Sequence, residues 1–278
     1  MSASGDWCVR WGFRLRPPAD GRPRPGPVDQ IQSYRSQMDG QDSVGRSTGE
    51  LEIVGVRLEA ASNAAAHLKA AGQMMHVAGH VVGDGRVSGS SIRGNGDDAL
   101  VGVAVLVQIA AELLDTSSEL LCGTHHYAGA ALLRQVVEVE YLTWAFANDQ
   151  RDAAAWLNST HEERMKLFSP KRLRSVSDGR FRFEDYQHHC EQGGHPVPRA
   201  IPLLGNPDPS AAQMLMLDLL LHCWRITDNV LSWVKRTKAD TRLAVDLIAT
   251  QQVLKAWSRD DPLYQWALTA PPAPPVKP

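Results

Sequence analysis

From Leu51 to about Val82, apolar side chains return every three or four residues. The same spacing governs 99-ALVGVAVLVQIAAELLDTSSELL-121, 127-YAGAALLRQVVEVEYLTWAFAN-148, 210-SAAQMLMLDLLLHCWRITDNVLSWVKR-236 and 240-DTRLAVDLIATQQVLKAW-257. That period gathers the apolar groups on one face of an α-helix. Two shorter segments, 150-QRDAAAWLN-158 and 160-THEERMKLF-168, read the same way, and no stretch alternates apolar and polar residues as a strand does. Helices with one apolar face must bury that face against one another, so the fold class is all-α, a multi-helix bundle.

Local signals mark the helix ends. Asp97 and Asp98 stand where an N-cap and a first-turn acid belong, and Thr160 to Glu163 has the spacing of a capping box. Gly123 and Thr124 interrupt the second and third helices, and 83-GDGRVSGSSIRGNG-96 is a breaker between the first and second. Residues 1–47 are rich in Arg, Pro and Gly and offer nothing to bury, so they read as a disordered arm; a second reading starts the native protein at Met38. The proline-rich 269-TAPPAPPVKP-278 reads as a disordered tail, which leaves a single helical domain over 48–268.

With 43% apolar residues in 278, the chain has enough to build a core. Its four cysteines are far apart and form no C-x-x-C pair, which argues against a disulfide framework or a structural zinc site and for a reducing, cytoplasmic setting. No uncharged run reaches the roughly 18–20 residues that span a bilayer, and no membrane partner is expected. A formal charge of −2 excludes a generally basic nucleic-acid binder, so attraction for phosphate has to be local. One stretch supplies it. In 164-RMKLFSPKRLRSVSDGRFR-182, Arg164, Lys166, Lys171, Arg172, Arg174, Arg180 and Arg182 are opposed only by Asp178.

Polar residues on apolar helices mark candidate sites. Arg134, Glu138 and Tyr141 fall at i, i+4 and i+7, either as an ion pair that fixes packing or as a pocket wall where Arg134 meets an anion. Asp218, His222, Arg225 and Asn229 form a stripe that reads as a satisfied network, a cleft wall or an oligomer contact. The segment 186-YQHHCEQGGHP-196 holds three histidines, Cys190 and a Gly-Gly pair; Gly193-Gly194 and Pro196 predict a helix that stops near Cys190 and turns sharply, with His195 held against the bundle. A ligand set of Asp185, His188, Cys190 and His195 is only weakly specified, and 76-HVAGH-80 has Val77 where a metalloprotease helix carries glutamate, so no metal and no cofactor is expected. Cys190 lacks a nucleophile elbow, and 83-GDGRVSG-89 lacks the ending of a nucleotide loop.

Arg182 precedes His188 and His189 with five and six residues between, the Arg-x(4–6)-His spacing of the HEPN superfamily, although Phe183 stands where that motif usually has a polar residue. Arg134, Glu138, Tyr141 and Leu142, a basic connection, then Tyr186, Cys190, His195 and Pro196 together resemble bacterial HEPN-like helical proteins over residues 100–235. The resemblance implies a homodimer whose shared surface includes the helix 211–235 with Trp224 and Trp233. It also implies a module that binds a nucleotide, nucleic acid or partner protein, with RNA or a nucleotide held through the 164–182 stretch, in some relatives in a defence or toxin–antitoxin setting. The alternative it implies is a metal-independent endoribonuclease, with His188 or His195 as proton-transfer group and Arg182 as phosphate clamp; Arg134, Glu138, Tyr141, Tyr186, His222 and Arg225 are the expected ligand-binding residues.

Overall fold

A computed structural model describes residues 43–81, 97–123, 125–204 and 209–269. Among the described residues there is no strand. The helices are α1 (Ser43–Val81), α2 (Asp98–Cys122), α3 (His126–Ala147), α4 (Ala153–Asn158), α5 (His161–Glu163), α6 (Pro170–Ser175), α7 (Phe183–His189), α8 (Pro209–Thr237), α9 (Val245–Asp260) and α10 (Pro262–Thr269). π-Helical turns cover Arg164–Phe168 and Cys190–Gly194, and 3-10 turns cover Pro198–Leu203 and Thr241–Ala244. The fold is thus the all-α bundle expected from the periodicity. The breaker 83–96, most of the N-terminal arm and most of the proline-rich tail lie outside the described residues; α1 begins at Ser43 and α10 reaches Thr269.

Both predicted start signals are used. The Asp97 side chain accepts from Leu100 N at 2.9 Å, and Thr160 and Glu163 form the reciprocal capping box. α1 and α2 run antiparallel in close contact: a methyl on Gly72 would meet Gln108 and Ala104, and one on Gly79 would meet Val101 and Asp97. Ala60, Ala61, Ala64, Ala65 and Ala71 of α1 are buried, and small side chains let the two axes approach. α2 is the one described helix long and apolar enough to cross a membrane by length and composition, and most of its apolar residues are buried in the bundle, where it packs against α1, α3 and α8.

α8 lies inside the bundle between α3, α2 and α9. Trp233, expected at a surface shared between copies, is buried in the core, and Trp224 packs partly buried against it. The physical reason is that α8 carries apolar residues around most of its circumference, so the chain itself covers them. The basic connection 164–182 is also more ordered than its composition suggests. Phe168, Leu173 and Phe181 are buried anchors at intervals along it, and Phe181 stacks on Tyr141 with ring centres 3.9 Å apart.

A buried ion pair joins the first helix to the last ones. Arg57 is 1% exposed. Its Nε donates to Asp261 Oδ2 at 2.6 Å and its Nη2 to Oδ1 at 3.0 Å, while Nη1 bonds the side chain and carbonyl of Gln213 on α8. Asp261 also accepts from Trp257 Nε1 and caps α10 through the backbone N–H groups of Leu263 and Tyr264. Arg57→Ala removes one side of this pair and leaves the carboxylate buried, so urea unfolding should show a loss of about 3–5 kcal/mol; a loss under about 1 kcal/mol would mean the pair behaves as a surface one.

Candidate functional site

α3 sends two acids to opposite sides. Residues two apart on a helix diverge by about 200°. Glu138 therefore stays near the surface while Glu140 enters the core, where it is 3% exposed. Glu140 Oε2 accepts from His222 Nδ1 at 2.5 Å and lies 3.7 Å from Arg225 Nη1. Asn229 donates to the Glu140 carbonyl at 3.5 Å and to Thr143 Oγ1 at 3.4 Å. On its other nitrogen, His222 Nε2 is 3.3 Å from Asp218 Oδ1, and His189 Nε2 of α7 approaches Asp218 Oδ2 at 3.6 Å. The polar stripe of α8 is therefore one network with Glu140 and His189 at its two ends.

The charges in this network settle one another. Burial works against the Glu140 charge, but Arg225 and then His222 outweigh it and hold the carboxyl below its ordinary range. Burial also opposes protonation of His222, yet Asp218 and then Glu140 raise it to about 9. For Asp218, burial is again opposed, chiefly by His222, and the carboxyl is held low; its side chain keeps 36% of its surface in contact with solvent, which moderates the effect. His189 is different. Burial prevails over Asp218 and lowers it to about 4, so the ring is neutral near pH 7.

A second, outer group sits on the other side of α3. Tyr186 accepts from Arg134 Nη2 and donates to Glu138 Oε1, both at 2.8 Å, and Arg134 also pairs with Glu138 at 2.8 Å. The Arg174 guanidinium lies over the Tyr186 ring at 4.7 Å and over Phe183 at 5.4 Å. Arg174 Nη1 and Arg134 Nε are buried without a hydrogen-bond partner. Arg182 is engaged with Asp185, through Nε and Nη2 at 3.1 Å each. Lys171, Arg172 and Arg180 are exposed beside them.

The structure corrects the reading of the segment 186–196. Regular α7 ends at His189 as expected, but the chain does not turn sharply there; it winds on through the π turn Cys190–Gly194. The Gly-Gly pair serves close approach instead of unusual backbone angles. A methyl on Gly193 would collide with Ala130 and Ala131 of α3, and one on Gly194 with Arg134. His195 is exposed, not held against the bundle. Its backbone is extended (φ −141°, ψ 148°), as the ring of Pro196 requires of the residue before it, and this turns the imidazole outward.

The expected site residues thus separate into two places. Arg134, Glu138, Tyr141 and Tyr186 meet in the outer group, with Tyr141 buried behind the Tyr186 ring. His222 and Arg225 belong to the inner network. His188 is half-buried between them, and burial lowers its protonation against the pull of Asp218, Glu191 and Asp185. Glu140 is the residue the sequence reading passed over, and His189 entered it only through its spacing from Arg182. The pair Glu138 and Glu140 held the signal for the first, since both cannot lie on the wet side of one helix; nothing in the sequence set His189 beside Asp218 and His222. His76 and His80 do come together, with Nε2 atoms 3.1 Å apart. A surface cavity of about 490 Å³ lies elsewhere, lined by Arg151, Leu167, Phe168, Trp233 and Arg236 among others, and includes none of these groups.

Comparison with known proteins leaves the site to be read from its own chemistry: no family model, no curated protein and no solved structure matches this chain.

Two outcomes follow from the outer group and the turn beneath it. Burial, with the Glu138 carboxylate, pushes the Tyr186 hydroxyl up to about 12 against the effect of Arg134. Because the folded value lies above the ordinary one near 10, the stabilising effect of protonated Tyr186 is complete below about pH 10 and is lost as pH rises through about 12. Ultraviolet difference titration should therefore show Tyr186 ionising late, and Tyr186→Phe should remove that late step. Gly193→Ala should lower stability by about 1–3 kcal/mol in urea unfolding, because α3 backbone stands where the methyl would go.

Proposed function

We propose that this chain is a helical module that binds a phosphate-bearing ligand, an RNA strand or a nucleotide, on the face formed by α6, α7 and the outer side of α3. The observation that carries the reading is Arg174. Its guanidinium is positioned over two aromatic rings and keeps a buried N–H without a partner. Beside it Phe183 is 57% exposed, and Lys171, Arg172 and Arg180 of the same connection are exposed, Arg180 lying over the Phe181 ring. A cation fixed next to an open aromatic ring suits a phosphate with its adjoining base: the guanidinium meets the oxygens and the ring stacks on the base. Phe183, which departs from the HEPN motif, fits this reading as a stacking platform.

The resemblance to HEPN domains supports the same ligand chemistry and adds the pairing of two copies. Binding without cleavage is the reading favoured here. Arg182 is already neutralised by Asp185, and His195 projects from the surface beyond the π turn. A nuclease needs both groups directed at one phosphate.

Titration of a fluorescent single-stranded RNA and of a nucleotide into the full chain tests the proposal. Binding should weaken with salt, and Arg174→Ala and Phe183→Ala should each weaken it about 5- to 150-fold, the range that about 1–3 kcal/mol of stacking or contact energy implies. Their urea midpoints should stay close to that of the parent protein, and the RNA should remain intact. A parent protein that binds neither ligand at low salt overturns the reading, and cleavage lost on Arg182→Ala would replace it with the nuclease.

A further inference from the structure

Three ligand-type side chains converge at the far end of the Glu140 network. α7 supplies His189, and α8 supplies Asp218 and His222 one turn apart. Their ligand atoms all lie within 4.8 Å of one another. The individual spacings are 3.6 Å from His189 Nε2 to Asp218 Oδ2 and 3.3 Å from Asp218 Oδ1 to His222 Nε2. Two ligands bonded to one ion at about 2.1 Å and a tetrahedral angle stand about 3.4 Å apart. Both spacings, each to a different oxygen of Asp218, are close to that separation, and all three ligand atoms fall within 4.8 Å of one another.

We propose that His189, Asp218 and His222 bind a divalent first-row transition-metal ion of the zinc and iron(II) class. The proposal does not rest on the phosphate-binding reading. Two imidazoles and one carboxylate suit such an ion better than magnesium or calcium, which prefer sites made of oxygen. The surroundings of the ligands are those of a metal site as well. His222 Nδ1 is hydrogen-bonded to Glu140, which fixes the ring and directs Nε2 at the common centre; a carboxylate behind a ligating histidine also raises its basicity. Glu140 is in turn held by Arg225. Both imidazoles are buried, at 8% exposure, whereas Asp218 is 36% exposed, so the ion has a path from solvent past the carboxylate. Three protein ligands leave at least one position for water, as in sites that act on a substrate and unlike closed structural sites.

Neither of the sequence patterns considered for metal finds this set. The three residues come from two helices that meet only through the bundle, and the pair on α8, Asp218 with His222, is an ordinary i, i+4 spacing until His189 is placed over it.

The test uses the full chain, stripped with a chelator and titrated with cobalt(II), with metal content measured after removal of free ion. The expected result is one cobalt(II) retained per chain, with visible absorption bands of a protein-bound ion, displaced by zinc. His189→Ala and Asp218→Ala should each weaken binding at least 100-fold, and Glu140→Gln should weaken it about 10- to 100-fold while leaving all three ligands in place. Circular dichroism identifies a variant that fails to fold, and His189→Ala, which removes a neutral ring, is the one expected to keep the fold best. His76→Ala should have no effect. Absence of retained cobalt(II) in the parent protein overturns the proposal; so does binding that survives both His189→Ala and Asp218→Ala, or that is abolished by His76→Ala instead.

Discussion

A carboxylate in the middle of a helical bundle has to be answered by positive charge, and Glu140 is the point on which the arrangement of α3, α7 and α8 depends. An unpaired ion there would cost several kcal/mol, far more than a surface pair contributes. His222 and Arg225, both on α8, supply the answer. Their spacing fixes the register of α8 on α3, because a slide of one turn would bring Asp218 or Asn229 to Glu140 in place of one of its two cations. The same demand passes outward: a His222 drawn to Glu140 presents its other nitrogen to Asp218, and Asp218 faces His189.

The position of α7 is decided by a different constraint, steric rather than electrostatic. The π turn Cys190–Gly194 lies on α3 so closely that α3 backbone leaves no room for a methyl at 193, and at 194 a methyl would displace the Arg134 side chain. This contact brings Tyr186 to Arg134 and Glu138 on one side and His189 to Asp218 on the other. One short helix thereby serves both groups. Its aromatic side, Phe183 and Tyr186, meets the cations Arg174 and Arg134, and its single buried histidine points into the network.

The Arg57 and Asp261 pair does for the ends of the chain what Glu140 does for the middle. It joins α1, α8, α9 and α10 through one guanidinium and one carboxylate with nearly all their hydrogen-bonding groups engaged. In the sequence Arg57 stands in the stripe of Ala61, Ala64, Leu68, Ala71 and Met75, all buried. A charged residue in register with such a stripe is a readable sign of a buried partner, although the stripe does not say which one.

Periodicity and end signals, which act over a few residues, made the helices, the caps at Asp97 and Thr160, the clustered cations of 164–182 and the polar stripe of α8 legible in the sequence by itself. These features depend on one element at a time, and the backbone geometry of a helix translates spacing into a face. What only the tertiary structure decided was which faces meet. It separated Glu138 from Glu140, put Trp233 inside, turned His195 out through Pro196, and set His189 over Asp218 and His222. Each of these outcomes depends on contacts between residues tens of positions apart, where packing and the cost of buried charge select among arrangements that local propensity leaves equal.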